Sequence, residues 1–68
     1  MEGQSLADAI LREQARNREL LGQYQAIGPA GMFGAAMIRD LLGRTERAVM
    51  SGDVVAMIRC YQELQESK

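Results

Sequence analysis

Apolar positions along the chain fall into three helical stretches separated by two breaks, each marked by a glycine. In the first stretch Leu6, Ala9 and Ile10 open a stripe at helical spacing, and Leu20, Leu21, Tyr24 and Ile27 resume it. Ser5 with Asp8 three residues later resembles a capping arrangement, so a helix is predicted over 6–26, followed by a glycine/proline turn at 27–29. Between the two halves of the stripe, Arg12, Glu13, Gln14, Arg16, Asn17, Arg18 and Glu19 leave the helix polar all round. A helix of that kind is either an exposed arm or a specific polar contact surface, and the expectation is an exposed arm. Pairs such as Asp8 with Arg12, or Glu13 with Arg16, add only a few tenths of a kcal/mol to it.

The second helix is predicted over 30–50. Phe33, Met37, Leu41 and Ala48 recur at helical spacing, and Ile38, Leu42 and Val49 widen the stripe into a broad apolar face. Arg39, Asp40, Arg44, Glu46 and Arg47 occupy the rest of the circumference, with Gly43 as a candidate bend. A turn at 51–53 follows, where Gly52 suits the left-handed conformation that closes a helix and Asp53 suits the cap of the next. The third helix, 54–65, carries the clearest stripe: Val54, Met57, Ile58, Tyr61 and Leu64. So short a connection makes the second and third helices antiparallel neighbours. The fold class expected is therefore all-α, a single small domain with an N-terminal helix and an antiparallel two-helix hairpin.

One passage stands apart. From Ile27 to Ile38 there is no charge, and Gly28, Gly31 and Gly34 recur at every third position. Pro29 suits a first helical turn, because its missing N–H would be unpaired there anyway. Glycine within a helix costs roughly 1 kcal/mol relative to alanine, so two of them call for a compensation. Either another backbone packs closely on the bare face, or an anionic ligand sits at the free N–H groups of the helix start.

Size sharpens the first alternative. Burial at about 25 cal/mol per Å² against roughly 1.5 kcal/mol of lost entropy per residue leaves a chain of 68 residues near zero net stability. Cys60 is the only cysteine and histidine is absent, which removes disulfides within the chain and leaves a metal site only one thiol and carboxylates, so no metal or cofactor is expected. Self-association into a dimer or higher oligomer is the remaining source of stability, through Phe33, Met37, Leu41, Ile58, Tyr61 and Leu64. A lone thiol and the absence of a basic-then-apolar segment at 1–5 fit a cytoplasmic location. Gln23, Gln25, Pro29 and the glycines interrupt the uncharged run 20–38, so no membrane span is expected. With eight basic and nine acidic residues the net charge is −1, which gives no general attraction to nucleic acid.

Residues 48–57, Ala48 to Met57, are similar to the inter-helix turn of a tetratricopeptide unit, but there is no second copy and hence no repeat array. The pairing of the Ile27–Ile38 passage with Ser51-Gly52-Asp53-Val54-Val55-Ala56-Met57-Ile58 resembles short uncharacterised proteins encoded by temperate phages and prophages of Gram-negative bacteria. The resemblance covers about the last forty residues. It implies expression in a bacterial host cell and a role in adjusting host physiology or defence.

Catalysis is the weakest hypothesis, because there is no histidine base and no nucleophile or carboxylate pair in a plausibly buried position. Cys60 reads as a small buried side chain. A phosphate-bearing nucleotide signal would find the Gly28, Gly31 and Gly34 helix start, with Arg16 and Arg39 for charge and Tyr24, Phe33 and Tyr61 for stacking, in a pocket between subunits. The spacing matches neither the phosphate loop nor the dinucleotide fingerprint. Alternatively the glycines permit tight helix crossing, and the five methionines, two of them beside Phe33 and Ile38, form an adaptable surface for a host protein. As a DNA reader, the third helix offers only Arg59 and Gln62 to a groove, so DNA is not expected as a partner. The function expected is a non-enzymatic inhibitor of a host regulatory or defence protein, with nucleotide sequestration as the alternative and transcriptional regulation third.

Overall fold

A computed structural model describes residues 5–68. The expectation drawn from residues 1–5, that no basic-then-apolar segment opens the chain, therefore falls outside these residues except at Ser5. Among the described residues there is no strand, and three helices account for the fold: α1, Leu6–Ile27; α2, Met32–Ser51; and α3, Val54–Glu66.

Local chemistry sets each boundary. Ser5 Oγ accepts the Asp8 N–H at 3.1 Å and opens α1. The helix runs to Ile27, where Gly28 leaves it with φ 87° and ψ −143°, a conformation closed to side chains with a Cβ. Pro29 does not begin an α-helix directly. A single 3-10 turn, Pro29–Gly31, comes first, closed by the Gly31 N–H on the Gly28 carbonyl at 2.9 Å, and α2 starts at Met32. At the other end of α2, Gly52 takes the left-handed conformation with φ 72°, while the N–H groups of Gly52 and Asp53 return to Val49 and Ala48. That pair of bonds satisfies carbonyls that a helix end leaves free. Asp53 then caps α3 through the Ala56 N–H.

Two contacts fix how α1 lies on α2. Tyr24, near the end of α1, rests on Gly31 at the end of the 3-10 turn and on Gly34 in the first turn of α2. Ile10 and Leu11, near its beginning, share a groove with Val49 and Met50 at the end of α2. The two helices therefore run in opposite directions.

The core is small: Ala9, Ile10, Ala35, Ile38, Leu41, Ala48, Cys60 and Leu64 are buried, and only four of these are large aliphatic residues. Buried with them are Gln14, Asn17 and Thr45. Thr45 satisfies its hydroxyl on the Leu41 carbonyl at 2.8 Å. The expectation of a solvated arm at the centre of α1 is thus corrected. The polar middle of α1 faces inward at Gln14 and Asn17, and the Asn17 amide meets a backbone carbonyl at the end of α3 rather than an apolar side chain.

Candidate functional site

The chain itself accounts for most of the glycine passage. A Cβ on Gly31 would lie 2.1 Å from the Tyr24 carbonyl oxygen, and one on Gly34 would lie 2.9 Å from the Tyr24 ring. The close backbone approach that the glycines imply is made by α1 of the same chain. Neither a second copy nor a ligand is needed at Gly31 and Gly34, and both lie beneath Tyr24 rather than facing open space. Gly28 differs, since nothing lies within 4 Å of its missing Cβ and its positive φ alone explains the residue.

Arg16 and Tyr24, expected beside the glycines as ligand groups, are engaged elsewhere. Arg16 donates to the carbonyls of Leu64 at 2.5 Å and Ser67 at 3.2 Å, and to the Glu13 carboxylate at 2.9 Å. The Tyr24 hydroxyl donates to the Lys68 carbonyl. Beside Arg16, the fully buried Asn17 donates to the carbonyls of Glu13 and Leu64 and accepts the Ser67 hydroxyl at 2.6 Å. The last turn of a helix leaves carbonyls unpaired and concentrates partial negative charge, so a guanidinium and an amide from α1 form a side-chain cap on α3. These two residues join the ends of the fold and are not free for a ligand.

Arg39 does stay near the glycine turn. It lines a shallow groove of about 420 Å³ with Gly28, Pro29, Met32 and Ala36, and no acidic partner meets it among the described residues. Of the proposed site, the structure therefore brings Gly28 and Arg39 together. Phe33, on the first turn of α2, points into solvent and is 78% exposed.

The residues assigned to self-association divide in two. Leu64 is fully buried and Leu41 nearly so within the single chain, which removes both from any intermolecular face. Their places in the apolar stripe are real, but the stripe closes within the chain. Phe33, Met37 and Ile58 are exposed, and Tyr61 is half-buried with its hydroxyl accepting from Gln65.

Two concave features leave only a faint mark in the sequence. Between α1 and α2, Leu11, Val49 and Met50 line an apolar groove of about 340 Å³ with Arg18 and Glu46 beside it. Its signal is the step of four residues from Ala7 to Leu11 and of seven from Leu11 to Arg18, hidden because Leu11 sits outside the main stripe. Between α2 and α3, Arg44, Arg47 and Arg59 line an open cleft of about 620 Å³ over Cys60. Arg44 is engaged by Glu63 at 3.0 Å and Asp40 at 2.8 Å. Hydrogen bonding to Glu63, and secondly to Asp40, raises its already high pKa, so it stays a cation at every working pH.

No group of three or more His, Cys, Asp or Glu side chains among the described residues is placed to hold a metal ion. No helix among them is long and apolar enough to cross a membrane. Compared with protein families, with curated proteins and with solved structures, the chain finds no match.

Proposed function

We propose that this chain is a non-enzymatic accessory protein of phage type, active in the cytoplasm of a bacterial host, that self-associates and occludes a host regulatory or defence protein. In this reading α2 and α3 act as an antiparallel hairpin held by α1. The observation that carries it is the balance of apolar side chains. Among the described residues ten large ones are exposed, including Met50 at 82% and Phe33 at 78%, against four large aliphatics in the core. Scattered exposed apolar residues are ordinary, but Phe33 and Met37, four residues apart on one face of α2 and both exposed, mark a surface that a partner covers. Methionine's flexible side chain suits such a surface to an irregular target.

A photo-crosslinking residue in place of Phe33, in chain expressed in a bacterial host, tests this. One dominant adduct with a host protein is expected, lost when Met37→Asp is added, while the helical spectrum is retained. No adduct, or one indifferent to Met37→Asp, refutes it.

A second reading rests on the Gly28–Arg39 groove. An arginine without an acidic partner beside a glycine turn suits the phosphate of a nucleotide signal. A nucleotide at 100 times its dissociation constant adds about 2.7 kcal/mol of stability, so thermal melts with cyclic and linear nucleotides separate the two readings. A rise in melting temperature that Arg39→Ala abolishes supports sequestration. No rise across the panel removes it.

A further inference from the structure

The apolar groove between α1 and α2 combines an apolar floor with a charged rim. Its rim carries one charge of each sign, Arg18 on α1 and Glu46 on α2. Neither is paired with another group among the described residues. Its floor presents Leu11, 62% exposed, against Val49 and Met50. We infer that this groove is the face on which a second copy of this chain docks, as a two-fold dimer in which Arg18 of each copy pairs with Glu46 of the other. The inference deepens the proposed function and rests on its self-association.

Two-fold symmetry suits this groove to a second copy. In a two-fold interface the same patch faces itself, so residue i meets j and j meets i. Consider an axis laid along the groove. It carries α1 over the partner's α2 and α2 over the partner's α1, and leaves every height along the groove unchanged. Leu11 then comes onto Val49 and Met50 of the other copy, because these residues already meet across one level of the groove. From that level Arg18 lies about two turns along α1, and Glu46 about one turn along α2 in the same direction. The single turn of offset, about 5 Å, is within the reach of an extended arginine side chain. α1 and α2 run in opposite directions, so the four helices alternate as in an antiparallel bundle, a packing that suits small aliphatic faces. A protein of different chemistry would have to match both the apolar floor and an unpaired charge of each sign. A second copy matches them by symmetry. It also leaves Phe33 and Met37, which do not line this groove, open for the host protein.

Charge reversal in the full chain gives the test, with mass read by light scattering and dissociation constants by dilution. The unaltered chain is expected at twice its 7.5 kDa mass. Arg18→Glu places like charges opposite the native carboxylate at position 46 of the other copy, Glu46→Arg does the same opposite the native guanidinium at position 18, and each weakens the dimer by about tenfold or more. Mixing the two single variants restores dimers. In the mixed pair the introduced carboxylate of one variant faces the introduced guanidinium of the other, and the second contact keeps its native charges. An ion pair inside one chain cannot produce that rescue by mixing. An unchanged helical spectrum shows that each variant folds. If the unaltered chain assembles but the single variants assemble equally well, or if mixing fails to rescue them, this face is wrong while self-association elsewhere stands. If the unaltered chain is a monomer at high concentration, both fail.

Discussion

Gly31→Ala is the most direct probe of how α1 and α2 meet. The added methyl group would lie 2.1 Å from the Tyr24 carbonyl oxygen and 2.9 Å from its carbon, where contacts below 3.4 Å are already tight. Relief needs the two helices to part by about 1.3 Å, the difference between 3.4 and 2.1 Å, and both atoms in conflict belong to the Tyr24 backbone. A side chain cannot rotate the clash away. Overpacking of this kind costs about 1–3 kcal/mol, and a backbone obstacle places it toward the upper end. Alanine's better helix propensity returns at most about 1 kcal/mol, leaving a net loss of about 2 kcal/mol. Against a total of about 3–10 kcal/mol for a chain this short, at roughly 0.05–0.15 kcal/mol per residue, that is a visible shift in urea midpoint. Gly22→Ala supplies the control, since nothing lies within 4 Å of its missing Cβ and it sits inside α1. That variant is expected to gain about 0.5–1 kcal/mol. Because the obstacle is in the same chain, the loss at Gly31 should be independent of protein concentration. A Gly31→Ala variant with an unchanged or raised midpoint would refute the close approach. A loss that fades as concentration rises would instead place the seam between copies.

Other substitutions test the remaining joints of the fold. Asn17→Ala removes an amide that bonds Glu13, Leu64 and Ser67 from a fully buried position, and is expected to cost about 2 kcal/mol in urea unfolding. Adding Ser67→Ala should cost less than the two separate losses, because they share one bond; strict additivity would deny the network. Gly28→Ala, at φ 87° and ψ −143°, should cost about 1–3 kcal/mol through backbone strain alone, and an unaltered melting temperature would contradict that geometry. Arg44→Ala breaks bonds to Asp40 and Glu63 on the surface, yet it should cost under about 1 kcal/mol and become neutral in high salt.

Much of the helical layout is legible because its signals are local. Ser5 with Asp8, Gly52 with Asp53, and the stripe through Met57, Tyr61 and Leu64 each act within a few residues. Gly28-Pro29 also marks the end of α1, though whether a 3-10 turn or an α-helix follows depends on one hydrogen bond from Gly31, beyond what propensity decides. The centre of α1 is illegible for a different reason. Periodicity detects apolar side chains, and Asn17 and Arg16 are bound by carbonyls 47 to 51 residues away, which carry no mark in sequence. The glycine spacing correctly signals a close backbone approach. Which backbone approaches is a tertiary fact, since Tyr24 lies only seven residues from Gly31 in sequence yet reaches it through the reversal at Gly28.

The inward-facing polar centre of α1 bears on why so small a fold leaves so much apolar surface outside. With Asn17, Gln14 and Thr45 occupying inward positions, the three helices meet over few large side chains, and part of the interior is given to hydrogen bonds. Such bonds add little net stability, but they are directional. Arg16 and Asn17 meet the end of α3 in one register only, and sliding α1 by a turn would leave a buried amide without partners. The polar centre therefore fixes where α1 lies on the other helices, while apolar residues such as Leu11, Met37 and Ile58 stay at the surface. An apolar substitution of similar volume, Asn17→Leu, separates these roles. It should leave overall helix content near the native level while broadening the urea transition and lowering its slope, because α1 would lose its single register. A sharp transition of unchanged slope would mean that side-chain packing, not the amide network, holds α1 in place.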